Sequence, residues 1–235
     1  MNKPYVICHM LTSLDGKTTG SFLNTQETTL AIEAYEVVNN RYQAQAYLTG
    51  RTSIEESFTH FVPPEFEENP HQYSRDDYVA VAHAPAYMVV IDTSGKIGWQ
   101  SNTLKYMERP EAHIIEVLTE KASNNYVAYL RKHRISYIFA GKEALNCTLA
   151  LDKLRQLFNI EKLMLSGGAR TNGYFLREGL IDELSIVLAP VVEIERHSLG
   201  IFEQNEDVPV TAPVGFKLDD VDTLPGYCLW LRYTK

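Results

Sequence analysis

Residues 163–179 read LMLSGGARTNGYFLREG, and their order decides the fold. Three apolar residues, Leu163, Met164 and Leu165, run into Ser166, Gly167 and Gly168, after which residues 170–177 can wind into helical turns that stop at Gly179. A short apolar strand that breaks at glycines and opens a helix is the repeating joint of an α/β domain. Glycine at such a joint lets backbone come close to a ligand, and the unpaired N–H groups of a helix start favour an anion. Ser166, Gly167, Gly168, Ala169, Arg170 and Thr171 therefore suit the pyrophosphate of a dinucleotide. The same residues also make an ordinary tight turn, and the spacing is not the three-glycine dinucleotide fingerprint.

Working outward, the same alternation recurs. Strands are expected at residues 5–11, 46–49, 87–92, 112–118, 135–140, 163–166 and 181–189, and helices at 27–43, 51–57, 122–132, 143–158 and 170–177. Asn24 and Thr25 are the candidate caps of the first helix. Two further β-like runs, 216–222 and 227–233, are joined by Leu224, Pro225 and Gly226, which suits a tight antiparallel connection. The expected architecture is an α/β fold with a mostly parallel central sheet and an antiparallel C-terminal hairpin at one edge. Residues 60–86 interrupt the alternation, with Pro63, Pro64, Pro70 and Pro85 set among acidic and aromatic residues. They read as an inserted excursion, a lid or a dimer contact. No linker composition divides the chain, so residues 1–235 are expected to form one domain.

Composition narrows the function classes. The 22 basic against 30 acidic residues leave a formal charge of −8, which argues against nucleic acid or an anionic membrane as partner. The longest apolar run, residues 87–91, is far too short to span a bilayer, and the N-terminus lacks the pattern of a signal peptide, so a soluble cytoplasmic protein is expected. Cys8, Cys147 and Cys228 are odd in number and widely spaced in apolar segments, and read as buried hydrophobes. The seven histidines show no metal-ligand spacing, and neither a Gly-x-Ser-x-Gly elbow nor a Walker loop occurs.

Three more polar loops follow expected strands. Gly50, Arg51, Thr52 and Ser53 place a guanidinium and two hydroxyls at a helix start, which suits a phosphate monoester such as the 2′-phosphate of NADPH. Their plainer reading is a helix cap beside an exposed arginine. Thr12, Ser13, Leu14, Asp15, Gly16 and Lys17 combine opposite charges with a flexible glycine, and Asp92, Thr93, Ser94, Gly95 and Lys96 form another polar loop. In open α/β sheets ligands bind at the carboxyl ends of parallel strands, and all four loops belong to that edge. His9, inside the first strand, reads either as a satisfied core imidazole or as a group projecting into the site.

Ser13-Leu14-Asp15-Gly16-Lys17, Gly50-Arg51-Thr52, Ile91-Asp92-Thr93-Ser94-Gly95 and Ser166-Gly167-Gly168, followed by Gly179-Leu180-Ile181-Asp182-Glu183-Leu184 and Ala189-Pro190, resemble the reductase domain of the bacterial bifunctional riboflavin-biosynthesis deaminase–reductase. The matches keep the family's order over residues 4–233, and nothing in the chain corresponds to the deaminase half. The resemblance implies the three-layer fold of dihydrofolate reductase. It also implies a homodimeric, NADPH-dependent reductase that converts the ribosyl group of 5-amino-6-(5-phosphoribosylamino)uracil to ribityl. By position, Gly50, Arg51, Thr52, Ser53, Thr93 and Ser94 would hold the adenosine 2′-phosphate end, and residues 166–171 the pyrophosphate. Ser13, Asp15, Lys17 and Ser166 would border the substrate, with Asp15 or His9, or water, as the proton source. The family commonly has Glu where this chain has Ser166 and Lys where it has His9, and an Asp-Asp-Pro segment with a substrate-phosphate Arg is replaced by Ile54-Glu55-Glu56-Ser57-Phe58. Two other readings stand beside this one: a dihydrofolate reductase-like enzyme acting on a pterin or another small molecule, and a non-catalytic NADPH-binding protein.

Overall fold

The computed structural model describes residues 2–204 and 212–235. Along the chain run β1 (Tyr5–Thr12), a 3-10 turn (Ser21–Asn24), α1 (Gln26–Tyr42), β2 (Ala46–Gly50), α2 (Arg51–Ile54) with a π-helical turn (Glu55–Thr59), β3 (Ala86–Ile91), β4 (Thr103–Leu104) and β5 (Ala112–Leu118). Then follow α3 (Asn124–Lys132), β6 (Ser136–Phe139), α4 (Cys147–Phe158), β7 (Lys162–Leu165), α5 (Ala169–Arg177), β8 (Glu183–Leu188), β9 (Lys217–Leu224) and β10 (Cys228–Thr234). Two compact units form, one built on Ala44–Leu163 and the other on Tyr5–Gln43 with Met164–Lys235.

In the first unit β2, β3, β5 and β6 pair in parallel, in the order β2-β3-β5-β6, and the short β4 adds antiparallel to the start of β5. β3 (AYMVVI) and β5 (AHIIEVL) are buried along nearly their whole length, which is why they read as continuous rather than alternating apolar runs. In the second unit β1 pairs in parallel with β8, and β8 continues antiparallel through β10 to β9. Its core gathers Ala31, Val38, Val187, Ala189, Cys228 and Trp230. β9 (KLDDVDTL) is exposed along most of its length and carries Lys217, Asp219, Asp220 and Asp222, charges that keep an edge strand from pairing with another chain. The mostly parallel α/β architecture with an antiparallel C-terminal pair is the one expected, and the three cysteines are buried.

Local chemistry explains the helix limits. Thr25, Ser123 and Asn146 accept hydrogen bonds from the N–H groups of Thr28, Tyr126 and Leu149 and so cap α1, α3 and α4. The Asn146 cap delays α4 to Cys147, four residues later than the apolar pattern suggests. The helix expected at 51–57 is α-helical only to Ile54, then widens into the π turn and stops where His60 and Phe61 take left-handed conformations.

Residues 60–86 carry no named helix or strand before β3 begins at Ala86. They lie along β6, the outermost parallel strand of the first unit. Tyr78 bridges Tyr137, Ala80 N–H donates to Ser136 Oγ at 2.9 Å, and Asp77 accepts from Phe139 N–H at 2.8 Å while pairing with Lys153. Arg131 completes the attachment: its guanidinium stands over the rings of Tyr73, Tyr78 and Tyr137, and its Nε donates to the Tyr137 hydroxyl at 2.8 Å. The excursion thus covers an edge that would otherwise expose unpaired backbone. Arg131→Ala is expected to cost about 1–2 kcal/mol of unfolding free energy in denaturant titration, and limited proteolysis of the variant should cut first within residues 70–82.

Candidate active site

In the first unit the parallel register sets Gly50 opposite Ile91, so the chains leaving β2 and β3 emerge side by side. This brings Gly50, Arg51, Thr52 and Ser53 beside Thr93 and Ser94. The second of these loops is folded around Asp92, which is only 2% exposed. Its carboxylate accepts from the N–H groups of Lys96 and Ile97, and its carbonyl accepts from Gly95 N–H at 3.0 Å. Burial raises the Asp92 pKa above the usual carboxylate value, while those N–H groups and the charge of Arg51 pull the other way. Thr93 carbonyl accepts from both the N–H and the hydroxyl of Thr119. Gly95 has φ +67°, and a Cβ on it would lie 2.3 Å from the Tyr126 ring, so only glycine fits this turn. Arg51 opens α2 with its Nε 3.4 Å from Glu55 Oε2.

Beneath this loop lies Glu116, a charged residue type with no solvent exposure. Trp99 Nε1 donates to its Oε1, the Tyr126 hydroxyl stands 3.2 Å from the same oxygen, and Oε2 has no partner among the described residues. Desolvation first, and the nearby Asp92 second, raise the Glu116 pKa well above its ordinary 4.5, while the hydrogen bonds from Trp99 and Tyr126 pull the other way. Tyr126 also reaches the Ile97 carbonyl at 3.1 Å, which ties Glu116 to the end of the Asp92 loop.

In the second unit Thr12 pairs with Leu188, and the loop after β1 folds against the chain that leaves β8. Leu14 N–H donates to Val191 carbonyl at 2.7 Å, Thr18 N–H to Leu199 carbonyl at 2.8 Å, and Lys17 Nζ to Ser198 carbonyl at 3.0 Å. Ser13 is buried; its hydroxyl accepts from Lys17 N–H and donates to Asp15 Oδ1 at 2.6 Å. Glu193 N–H donates to the same oxygen at 2.9 Å. The Ser13 hydroxyl and the Glu193 N–H hold the Asp15 pKa below the usual carboxylate value, so this side chain is an ionised acceptor at neutral pH. Glu193 itself accepts from Phe22 N–H, Ser21 Oγ and Glu195 N–H and fixes the 3-10 turn.

His9 is fully buried. Its ring stacks on Tyr35 at 4.0 Å, Nδ1 lies 2.9 Å from Ser185 Oγ, and Nε2 lies 3.2 Å from the Tyr35 carbonyl. Trp230 Nε1 donates to the same Ser185 hydroxyl, so the imidazole belongs to a polar network between β1, α1 and β10. Of the two sequence readings of His9, this is the satisfied core imidazole.

The glycine turn after β7 also lies in the second unit. Ser166 Oγ is buried with no hydrogen-bond partner among the described residues. Gly167 has φ +115°, and a Cβ there would find only the Met10 methyl, 3.9 Å away. Gly168 is the N-cap of α5 and brings no side-chain oxygen to its first N–H groups. Arg170 is exposed and Thr171 nearly buried, while Asn172 donates to Ile201 carbonyl at 2.9 Å and keeps an unpartnered Oδ1. An orphaned hydroxyl, open space at a left-handed glycine and an uncapped helix start are what a phosphate-bearing cofactor requires. The sequence reading did not single out Glu55, Glu116, Glu193 or Asn172. The signal for Glu116 was a lone carboxylate inside the apolar run of β5, and that for Glu55 its i,i+4 spacing from Arg51; Glu193 and Asn172 owe their positions to contacts that no spacing encodes.

Polar loops follow the carboxyl ends of parallel strands in each unit and a glycine turn opens α5, which is the class of α/β protein that binds ligands at strand ends. The chain belongs to the RibD C-terminal domain family, whose model matches residues 4–204, as its motifs suggest. It is 28% identical over 197 residues to the 2,5-diamino-6-ribosylamino-4(3H)-pyrimidinone 5′-phosphate reductase of Methanothermobacter thermautotrophicus, covering 81% of this chain and 79% of that one. The reductase of the same name from Aquifex aeolicus is 24% identical, with 82% and 79% covered. Among solved structures, a pyrimidine reductase-like protein of Corynebacterium diphtheriae superposes with a TM-score of 0.66 at 16% identity, covering 99% of this chain and 92% of that one. RibD of Acinetobacter baumannii superposes with a TM-score of 0.63 at 21% identity over 100% of this chain, which spans 58% of that protein. No metal-binding cluster of His, Cys, Asp and Glu occurs among the described residues, and no described helix is long and apolar enough to cross a membrane.

Glu116 gives a pH test with a defined sign. Its folded pKa lies above 4.5, so the stability it contributes is present below that pH and is lost as the pH rises toward the folded value. In Glu116→Gln, which keeps an acceptor for Trp99, the melting temperature relative to the unmodified protein should become more favourable from pH 5 to pH 8. A difference that stays flat over this range would show that Glu116 is already ionised in the fold at pH 5.

Proposed function

We propose that this protein is an NADPH-dependent reductase of riboflavin biosynthesis that reduces the ribosyl group of a 6-ribosylaminopyrimidine 5′-phosphate to ribityl. The substrate is 5-amino-6-(5-phosphoribosylamino)uracil or its 2,5-diamino counterpart. Family membership over residues 4–204 is the observation that carries this reading. Coverage of about four-fifths in both directions with two reductases named for this step supports it further.

NADPH, when bound, supplies a hydride from its nicotinamide C4 to the electrophilic carbon of the sugar, an imine or aldehyde equivalent. The residues of the chain then bind and orient. Ser166, Gly167, Gly168, Ala169, Arg170 and Thr171 take the pyrophosphate through backbone N–H groups and the orphaned Ser166 hydroxyl. Gly50, Arg51, Thr52, Ser53, Thr93 and Ser94 take the adenosine 2′-phosphate end, with the Asp92 loop held rigid by its own carboxylate. Ser13, Asp15 and Lys17 border the substrate, and Asp15, being ionised, accepts from a substrate hydroxyl or amino group. His9 supports β1 from beneath with both ring nitrogens engaged, which leaves solvent to deliver the proton. Holding the reacting carbons at near-attack distance is worth up to roughly 7–11 kcal/mol in model reactions, so positioning is the main catalytic contribution.

In this reading residues 1–235 act as one reductase module with an insertion at 60–86, working as a cytoplasmic homodimer on a small molecule, without nucleic acid or membrane as partner. Incubation with NADPH and each of the two pyrimidine phosphates, following loss of the reduced-nicotinamide absorbance, is the deciding test, and turnover of one of them is expected. Turnover of dihydrofolate alone would replace this reading by the pterin one, and NADPH binding without any turnover by the non-catalytic one. Arg51→Ala is expected to weaken NADPH by about tenfold while leaving NADH nearly unchanged, as measured by calorimetric titration.

A further inference from the structure

We propose that Glu55 is a specificity-determining residue that opposes Arg51 and draws the cofactor preference of this protein away from NADPH toward NADH. The inference rests on the reading above, in which the loop opening at Gly50 receives the adenosine ribose end of the cofactor.

Arg51 and Glu55 stand one helical turn apart, Nε to Oε2 3.4 Å, with side chains 35% and 15% exposed. The carboxylate is the more enclosed partner, placed where the α-helical turn ends and the π turn begins. Glu55 therefore belongs to the fold, and a ligand that engages the guanidinium meets the carboxylate as well. Arg51 also feels the buried Asp92 of the adjacent loop. Residues 50–56 and 92–97 contain two cations, Arg51 and Lys96, against three acidic residues, Glu55, Glu56 and Asp92. A site built only to capture a phosphate monoester would carry the opposite balance.

The two cofactors differ at this position in chemistry that a carboxylate separates. The 2′-phosphate of NADPH carries a charge near −2 and requires guanidinium or N–H donors free of competing anions. The ribose of NADH presents hydroxyl donors, for which a carboxylate is the fitting acceptor. Glu55 repels the first and can accept from the second, while Arg51 does the reverse. The pair thus sets a balance that neither residue sets alone.

Direct binding tests this without turnover. Calorimetric dissociation constants for NADPH and NADH are measured on the unmodified protein and on Glu55→Gln, Glu55→Asp, Glu56→Gln and Arg51→Ala. The unmodified protein is expected to bind the two cofactors within about tenfold of each other, and Glu55→Gln to shift the ratio toward NADPH by about tenfold or more. Glu55→Asp keeps the charge and Glu56→Gln removes a neighbouring one, and both should leave the ratio near its original value. If Arg51→Ala moves the ratio and Glu55→Gln does not, the role of Glu55 is overturned while the placement of the adenosine end stands. If neither variant moves it, the placement of the adenosine end is itself wrong.

Discussion

Parallel pairing is the constraint on which the rest of this structure depends. A parallel strand pair delivers both of its carboxyl ends to the same side, so the register of Gly50 with Ile91 and of Thr12 with Leu188 fixes where the polar loops of each unit emerge. Strands buried on both faces are largely apolar, which gathers most exposed polar groups just past their ends. The Gly50–Ser53, Thr93–Ser94 and Ser13–Lys17 groups all sit at such ends, and the Ser166 turn joins β7 to α5.

A loop that leaves a sheet loses its ladder partners, and its N–H groups must be satisfied otherwise. In this acidic chain carboxylates do that. Asp92 accepts from Lys96 and Ile97, Asp15 from Glu193, Glu193 from Phe22 and Glu195, Asp182 from Val6, and Asp77 from Phe139. The formal charge of −8 therefore reflects, in part, acids built into loop backbones. Where the acid is exposed, as at Asp15, the donors, the Ser13 hydroxyl first and the Glu193 N–H second, win and the pKa falls; where it is buried, as at Asp92, desolvation wins and the pKa rises.

Much of the fold was legible in the residues themselves. The runs of β3 and β5 are apolar enough to allow only covered strands, the Ser166-Gly167-Gly168 joint announces a strand-to-helix turn, and Thr25 marks the start of α1. The site was legible as loops but not as contacts. Gly95 could be read as a turn residue, yet nothing local says that the Tyr126 ring, 31 positions later, excludes a side chain there. Residues 60–86 stand out by their prolines, whereas their attachment to β6 needs Arg131 and Tyr137 from elsewhere in the chain.

The sequence by itself determined the order of elements, the polar loops past the strands and the family, because periodicity, caps and glycine turns act over a few residues and are written locally. The tertiary structure alone decided the charge states and partners of the side chains. Burial first and Asp92 second push Glu116 toward its neutral form against the donors Trp99 and Tyr126, Ser13 and Glu193 hold Asp15 toward its ionised form, and His9 is a core residue because Tyr35 and Ser185 hold both of its nitrogens. Desolvation and hydrogen bonding depend on distance in space, and pairs such as His9 with Ser185, 176 residues apart in the chain, are set only when the strands pair.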